Sequence, residues 1–92
     1  MNFQNRNLSV IAYANGTTIW HYGDRKCKLA EMDLDHFFDP IYALCAVGDK
    51  IMVSLNDAYT EVVIVKIHDG NVICKPLTTL EYPKDEPEEE AE

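Results

Sequence analysis

The sequence predicts a mainly β protein, a small sandwich or barrel-like domain built from two β-hairpins, an additional strand and one short helix. Three observations carry that expectation. Asn15-Gly16 and Asp69-Gly70 are dipeptides suited to two-residue hairpin turns, each flanked by β-branched or aromatic runs, and Ile51, Val53 and Leu55 alternate as the inward face of a strand between them.

Ser9–Ala14 and Thr17–Tyr22 form the first predicted hairpin. Asn-Gly fits a type I′ turn because both central residues need φ > 0. A two-residue turn pairs Ala14 with Thr17. Ile11 and Tyr13 then share a face with Thr18, Trp20 and Tyr22, while Val10, Ala12, Ala14, Thr17, Ile19 and His21 take the other. The second predicted hairpin joins Tyr59–Ile67 to Asn71–Lys75 and pairs His68 with Asn71. This sets Val63, Val65, Ile67, Val72 and Cys74 on one face and Val62, Ile64 and Ile73 on the other. Both hairpins therefore read as apolar on both sides, as expected of central strands or of a subunit interface.

Between the hairpins, Gly23–Lys26 reads as a turn and Cys27–Met32 alternates like a short strand. Asp39-Pro40 reads as a helix start, with Asp39 as the cap and Pro40 at the first helical position. Ile41–Cys45 supplies the helix, Gly48 ends it, and Phe37 and Phe38 fold back on Ile41 or Leu44. Asn56–Ala58 forms a short loop back into Tyr59.

Composition bounds the function. Ninety-two residues allow one domain, close to the size at which a single core is just sufficient. A formal charge of −8, from 16 acids and 8 bases, argues against a sequence-independent phosphate-binding surface. The acid is concentrated at the C-terminus: residues 1–80 carry nine acids and seven bases, and residues 81–92 carry seven acids and one base. The chain is accordingly read as a nearly neutral β-rich domain over 1–80 and an acidic disordered tail over 81–92. No apolar run reaches the roughly 18–20 residues that span a bilayer, and the start lacks the pattern of a signal peptide. The expectation is no membrane partner and residence in a bacterial cytoplasm. Cys27, Cys45 and Cys74 are an odd number at wide spacings, which suits buried thiols in a reducing compartment.

Catalytic patterns are absent from the spacing. The three histidines and three cysteines form no C-x-x-C, H-x-x-x-H or H-E-x-x-H motif, so neither metal nor cofactor is expected. Cys45 lies in the apolar run Ala43–Val47, where a cysteine is ordinarily packing. Asp33, Asp35 and Asp39 read as caps and a solvated loop. No catalytic residues are expected, and a binding or structural module is the reading. The candidate functional surface is the aromatic hairpin: Ile11, Tyr13, Trp20 and Tyr22 on one face, with Ile19 on its opposite. A domain this small cannot cover both faces of two apolar hairpins, so self-association through one of them is expected; a trimer facing a common axis suits the shape.

Ala12–Gly16, Trp20-His21-Tyr22, Leu29–Met32, Phe37-Phe38 and Val47–Val53 together resemble a group of small phage and prophage proteins. Those sequences share a Trp-x-Tyr strand, an Ala-Glu-Val-like segment, a Tyr-Phe pair, a short helix and a Val-Gly-Asp-x-Ile-x-Val strand. The resemblance covers residues 9–67. It implies a non-enzymatic virion or assembly component that packs against itself and a larger capsid or tail protein, made in the cytoplasm and carried into the particle. The sequence departs from that pattern at Gly23–Lys26 and at His36-Phe37-Phe38. Two other classes stay open from the residues: a bacterial cytosolic adaptor that binds a peptide along a strand edge, and a small hydrolase using Cys45 or the Asp33–Asp39 cluster.

Overall fold

Both hairpins form, and the fold is decided by how they are joined. The computed structural model describes residues 3–14 and 16–83, with strands β1 (Leu8–Ala14), β2 (Thr17–Asp24), β3 (Lys50–Leu55), β4 (Ala58–His68) and β5 (Asn71–Glu81). They make one sheet in the order β1-β2-β3-β4-β5, antiparallel except between β2 and β3, which run parallel. A parallel pair cannot be closed by a tight turn. Residues 25–49 therefore leave the end of β2, cross one face and return to start β3 beside it. This connection holds only 3-10 turns at Leu29–Glu31 and Asp39–Ile41; a third such turn, Asn5–Asn7, precedes β1. The mainly-β expectation holds, with the second layer supplied by this irregular connection.

Two β-bulges correct the predicted faces. Near the Asn-Gly turn the register is as expected, with Ala14 opposite Thr17 and Tyr13 opposite Thr18, but it shifts between Val10 and Ala12. Ile11 is left without a partner, and Val10 rather than Ile11 faces Trp20. The second hairpin repeats the device. His68 pairs with Asn71 around Asp69 (φ 52°) and Gly70 (φ 80°), the positive pair a type I′ turn requires. The register then shifts between Ile64 and Lys66, so Ile64 faces Cys74. The buried set is Val62, Ile64, Val72 and Cys74 with Ile67 against it, and not the expected set containing Val63 and Val65. One extra residue flips every side chain beyond it. β5 also continues past Lys75, through Pro76 to Glu81, with Leu77 as a further unpaired residue. Glu81, expected in the tail, closes β5, and the amide of Tyr82 donates to the Asp57 carbonyl (2.9 Å). Residues 84–92, most of that expected tail, lie outside the described residues.

The core lies between the sheet and the crossover. Trp20 and Tyr22 from β2, Ile51, Val53 and Leu55 from β3, Val62 and Ile64 from β4, and Val72 and Cys74 from β5 meet Cys27, Met32, Phe37, Phe38 and Ile41. Tyr22 is fully buried and touches three rings: it stacks on Phe3 at 5.1 Å and meets Phe37 and Phe38 edge-on at 5.4 and 5.7 Å. Its hydroxyl accepts the Gln4 amide at 2.9 Å, so the buried phenol is satisfied. Phe37 and Phe38 thus pack on Phe3 and Tyr22, and Leu44, expected as a staple partner, is exposed.

Two further expectations are corrected in the crossover. Cys27–Met32 is no strand: the Lys28 amide donates to the Glu31 carboxylate (3.0 Å) and the Glu31 amide to the Lys28 carbonyl (2.9 Å), closing a 3-10 turn. Asp39 does not cap its own helix, whose N-cap is Phe38. Its carboxylate instead accepts the Val72 amide on β5 (2.7 Å), a tie between layers that local sequence does not reveal.

Asp49 joins the ends of this circuit. It is 2% exposed, and its carboxylate accepts the Thr18 amide (3.0 Å), the Trp20 indole N–H (3.2 Å) and the Ala46 amide (3.0 Å). Its carbonyl accepts the Ile64 amide (2.9 Å), and the Gly48 amide donates to the Ile64 carbonyl (2.8 Å). One residue thereby binds β2, β4 and the end of the crossover. Gly48 holds φ +99° with open space where a Cβ would stand, so a side chain there is opposed by backbone conformation rather than by crowding. Asp49→Asn keeps the shape but turns an amide N–H₂ toward buried donors. It should cost about 1–3 kcal/mol and lower Tm by roughly 5–15 °C, measured by thermal denaturation; an unchanged Tm contradicts the role of this carboxylate.

Candidate functional site

The two edges of the sheet are built differently. β5 is guarded over its first half: its Val72 amide is held by the Asp39 carboxylate, its Cys74 amide donates to the Leu34 carbonyl (3.0 Å), and Lys75 and Pro76 follow, although Leu77 and Leu80 beyond them are exposed. Charge, proline and a covering segment are the usual means of keeping a sheet edge from pairing with another chain. β1, Leu-Ser-Val-Ile-Ala-Tyr-Ala, has no charge and no proline. Among the described residues, the backbone of Ser9–Tyr13 bonds no segment other than β2.

The side chains on β1 sharpen the contrast. Val10 is 58%, Ile11 53% and Tyr13 70% exposed. Val10 faces Trp20, and Tyr13 faces Thr18, whose amide is bound by Asp49 beneath the sheet. Both therefore lie on the core side and continue the apolar layer past Trp20, where the crossover no longer covers it. Val47, 59% exposed, stands two residues before Asp49 at the same end of the sheet. The bulge at Ile11 bends the edge without covering it.

The five residues predicted as an interface are thus divided. Ile11 and Tyr13 stand on the open edge. Trp20 and Tyr22 belong to the core, at 8% and 0% exposure, and are not surface residues; Ile19 is half-buried on the far face of β2. The structure adds Val10, missed because the bulge moves it onto the Trp20 side. The signal that was present in the sequence is the run of seven residues without charge or proline in the outermost strand.

The uncovered face of the sheet is of mixed polarity. Lys50 pairs with Glu61 (3.0 Å), which also accepts the Tyr59 hydroxyl (2.8 Å), and His21 meets Ser54 at 3.0 Å. The Lys50 and Tyr59 hydrogen bonds hold the Glu61 carboxyl below its usual range. Desolvation, then Glu61, pushes the Tyr59 phenol up to about 12. His36 and His68 sit at the surface beside Asp39 and Asp69. Asp33 accepts the Asp35 amide (3.0 Å), a local turn. Among the described residues, no three His, Cys, Asp or Glu side chains converge on a metal-sized site, and no helix is long and apolar enough to cross a membrane.

The thiols are set against nucleophilic work. Burial pushes Cys45 up to about 11, with the nearby Asp49 carboxylate adding to it; burial likewise pushes Cys74 up to about 12, and raises Cys27. A nucleophilic cysteine requires thiolate. At pH 7, Cys45 should react with Ellman's reagent at least roughly tenfold more slowly in the native protein than after unfolding in guanidinium. Cys27 and Cys74 should react only after unfolding; a fast native thiol contradicts this assignment. Comparison with protein-family models, with curated proteins and with solved structures finds no match.

Proposed function

We propose that this protein is a non-enzymatic structural or assembly subunit that joins copies of itself along β1. The observation that carries the reading is the asymmetry of the edges: β5 is tied down at Val72 and Cys74 by Asp39 and Leu34 and interrupted by Lys75 and Pro76, whereas β1 presents a wholly uncharged strand with Val10, Ile11 and Tyr13 exposed. Two β1 strands paired antiparallel about a two-fold axis form an isologous contact, in which both copies use the same patch. The Val10 and Tyr13 side chains of each copy then extend the apolar layer under a continuous sheet. Burying the exposed part of three apolar side chains per copy is worth roughly 1 kcal/mol each. That burial adds to the main-chain hydrogen bonds that the two paired strands would form. The half-buried Cys45 thiol, pushed up to about 11 by burial and by Asp49, favours a structural role over hydrolysis at Cys45. The resemblance of residues 9–67 to phage and prophage proteins extends the reading to a virion or its assembly, with a larger capsid or tail protein as the second partner.

Light scattering on the order of ten micromolar or above should give a multiple of the monomer mass. Val10→Lys with Tyr13→Lys should return it to the monomer with little change in Tm, because both positions are exposed. A monomeric wild type, or an unchanged mass in the double variant, contradicts self-association through β1. The first result favours the runner-up, an adaptor that accepts a strand from another protein along the same edge.

A further inference from the structure

A shallow cavity of about 370 Å³ opens where β2 ends, lined by Gln4, Arg6, Asn7, Gly23, Asp24, Arg25 and Lys26. Three of the seven bases in residues 1–80 line it, in a chain of net charge −8. Among the described residues, none of the three forms an ion pair; the described salt bridges use His36, Lys50 and His68. Asp24 supplies one carboxylate, but it is 9% exposed and its Oδ1 accepts the Lys26 amide (3.0 Å). Outward, the cavity presents guanidinium and ammonium groups with the amide side chains of Gln4 and Asn7, donors suited to carboxylates.

The C-terminal chain leaves the sheet at this same end. Asp24 pairs with Leu55 across β2 and β3, and Ala58 pairs with Glu81 across β4 and β5. The turn between β3 and β4 links the two places. The Tyr82 amide donates to the Asp57 carbonyl (2.9 Å), and the Asn56 side-chain amide donates to the Arg25 carbonyl (2.9 Å). Beyond Tyr82 the sequence is Pro-Lys-Asp-Glu-Pro-Glu-Glu-Glu-Ala-Glu. From β5 to β2 is three strand spacings, about 14 Å, and the residues between Tyr82 and Glu88 can span about 20 Å.

We propose that the acidic segment 85–92 docks in the cavity formed by Arg6, Arg25 and Lys26 of its own chain. Charge complementarity commits the site to this occupant: six carboxylates against three cations that form no ion pair among the described residues. Tethering adds to it, since a short link raises the effective concentration of the segment to the millimolar range, enough to hold a contact too weak to form between separate molecules. Docked there, the segment shields Arg6, Arg25 and Lys26 from other polyanions. The proposal is independent of self-association through β1 and can fail or stand without it.

The test uses the full chain and its variant Glu88→Gln, Glu89→Gln, Glu90→Gln. In low salt, backbone amide NMR signals of Arg6, Asn7, Arg25 and Lys26 should shift between the two proteins, while those of Gly48 and Gly70, at the far end of the sheet, stay fixed. High salt should move the wild-type signals toward the variant's positions, because exposed charge pairs are screened. Hexaglutamate should bind the variant several-fold more tightly than the wild type, the resident competitor having been weakened. Identical pocket signals in the two proteins at low salt overturn the proposal. So does a shift that grows with protein concentration, which would assign the contact to a neighbouring copy.

Discussion

The buried carboxylate of Asp49 is the constraint on which the rest of the structure depends. Parallel pairing of β2 and β3 gives a flat order of five strands but obliges residues 25–49 to cross one face and come back in register. At the point of return, Asp49 accepts from Thr18 and Trp20 on β2 and from Ala46 at the end of the crossover, while its backbone carries on the pairing to Ile64 on β4. A carboxylate out of water is tolerated only when its lone pairs are filled. Here they are filled by donors from separate parts of the chain, which makes the crossover's last step and the position of the first hairpin one event.

The placement of the crossover then decides which parts of the sheet are finished. Its Phe37, Phe38 and Ile41 lie over the centre, and its Leu34 and Asp39 reach the amides of β5. The same segment stops short of β1. The open apolar edge is therefore the complement of the guarded one: a connection of limited length covers the side of the sheet where Asp39 and Leu34 can bond, and leaves Val10, Ile11 and Tyr13 outside. The uncovered face needs no such explanation, because its centre is occupied by the Lys50–Glu61–Tyr59 group and by His21 with Ser54.

Much of this was legible in the sequence, and what was not has a physical reason. Asn15-Gly16 and Asp69-Gly70 announce both hairpins, and the alternation of Ile51, Val53 and Leu55 announces β3, because turn geometry and the two-residue period are local. The faces were misread at Ile11 and Val65. A bulge leaves no local mark in an uninterrupted apolar run, yet it inverts the pattern beyond it, so hairpins read as apolar on both sides bury one coherent face. Trp20 and Tyr22 read as an interface because what covers them is distant in sequence: Phe3, Phe37 and Phe38 pack on Tyr22, and Asp49 takes the Trp20 indole N–H. Asp39 reads from sequence as the cap of its own helix; its partner Val72, like the partners Thr18 and Trp20 of Asp49, is set by topology rather than by sequence distance. Ile11 and Tyr13 survive as surface residues because the strand that carries them is outermost.

Amide hydrogen exchange measured across a range of protein concentrations tests the proposed pairing of β1 with a second copy most directly. Self-association through this edge predicts that protection of those β1 amides between Ser9 and Tyr13 that point away from β2 rises with concentration, while Val72 and Cys74, already bonded to Asp39 and Leu34, are protected throughout. Exchange at β1 that is fast and independent of concentration would contradict it.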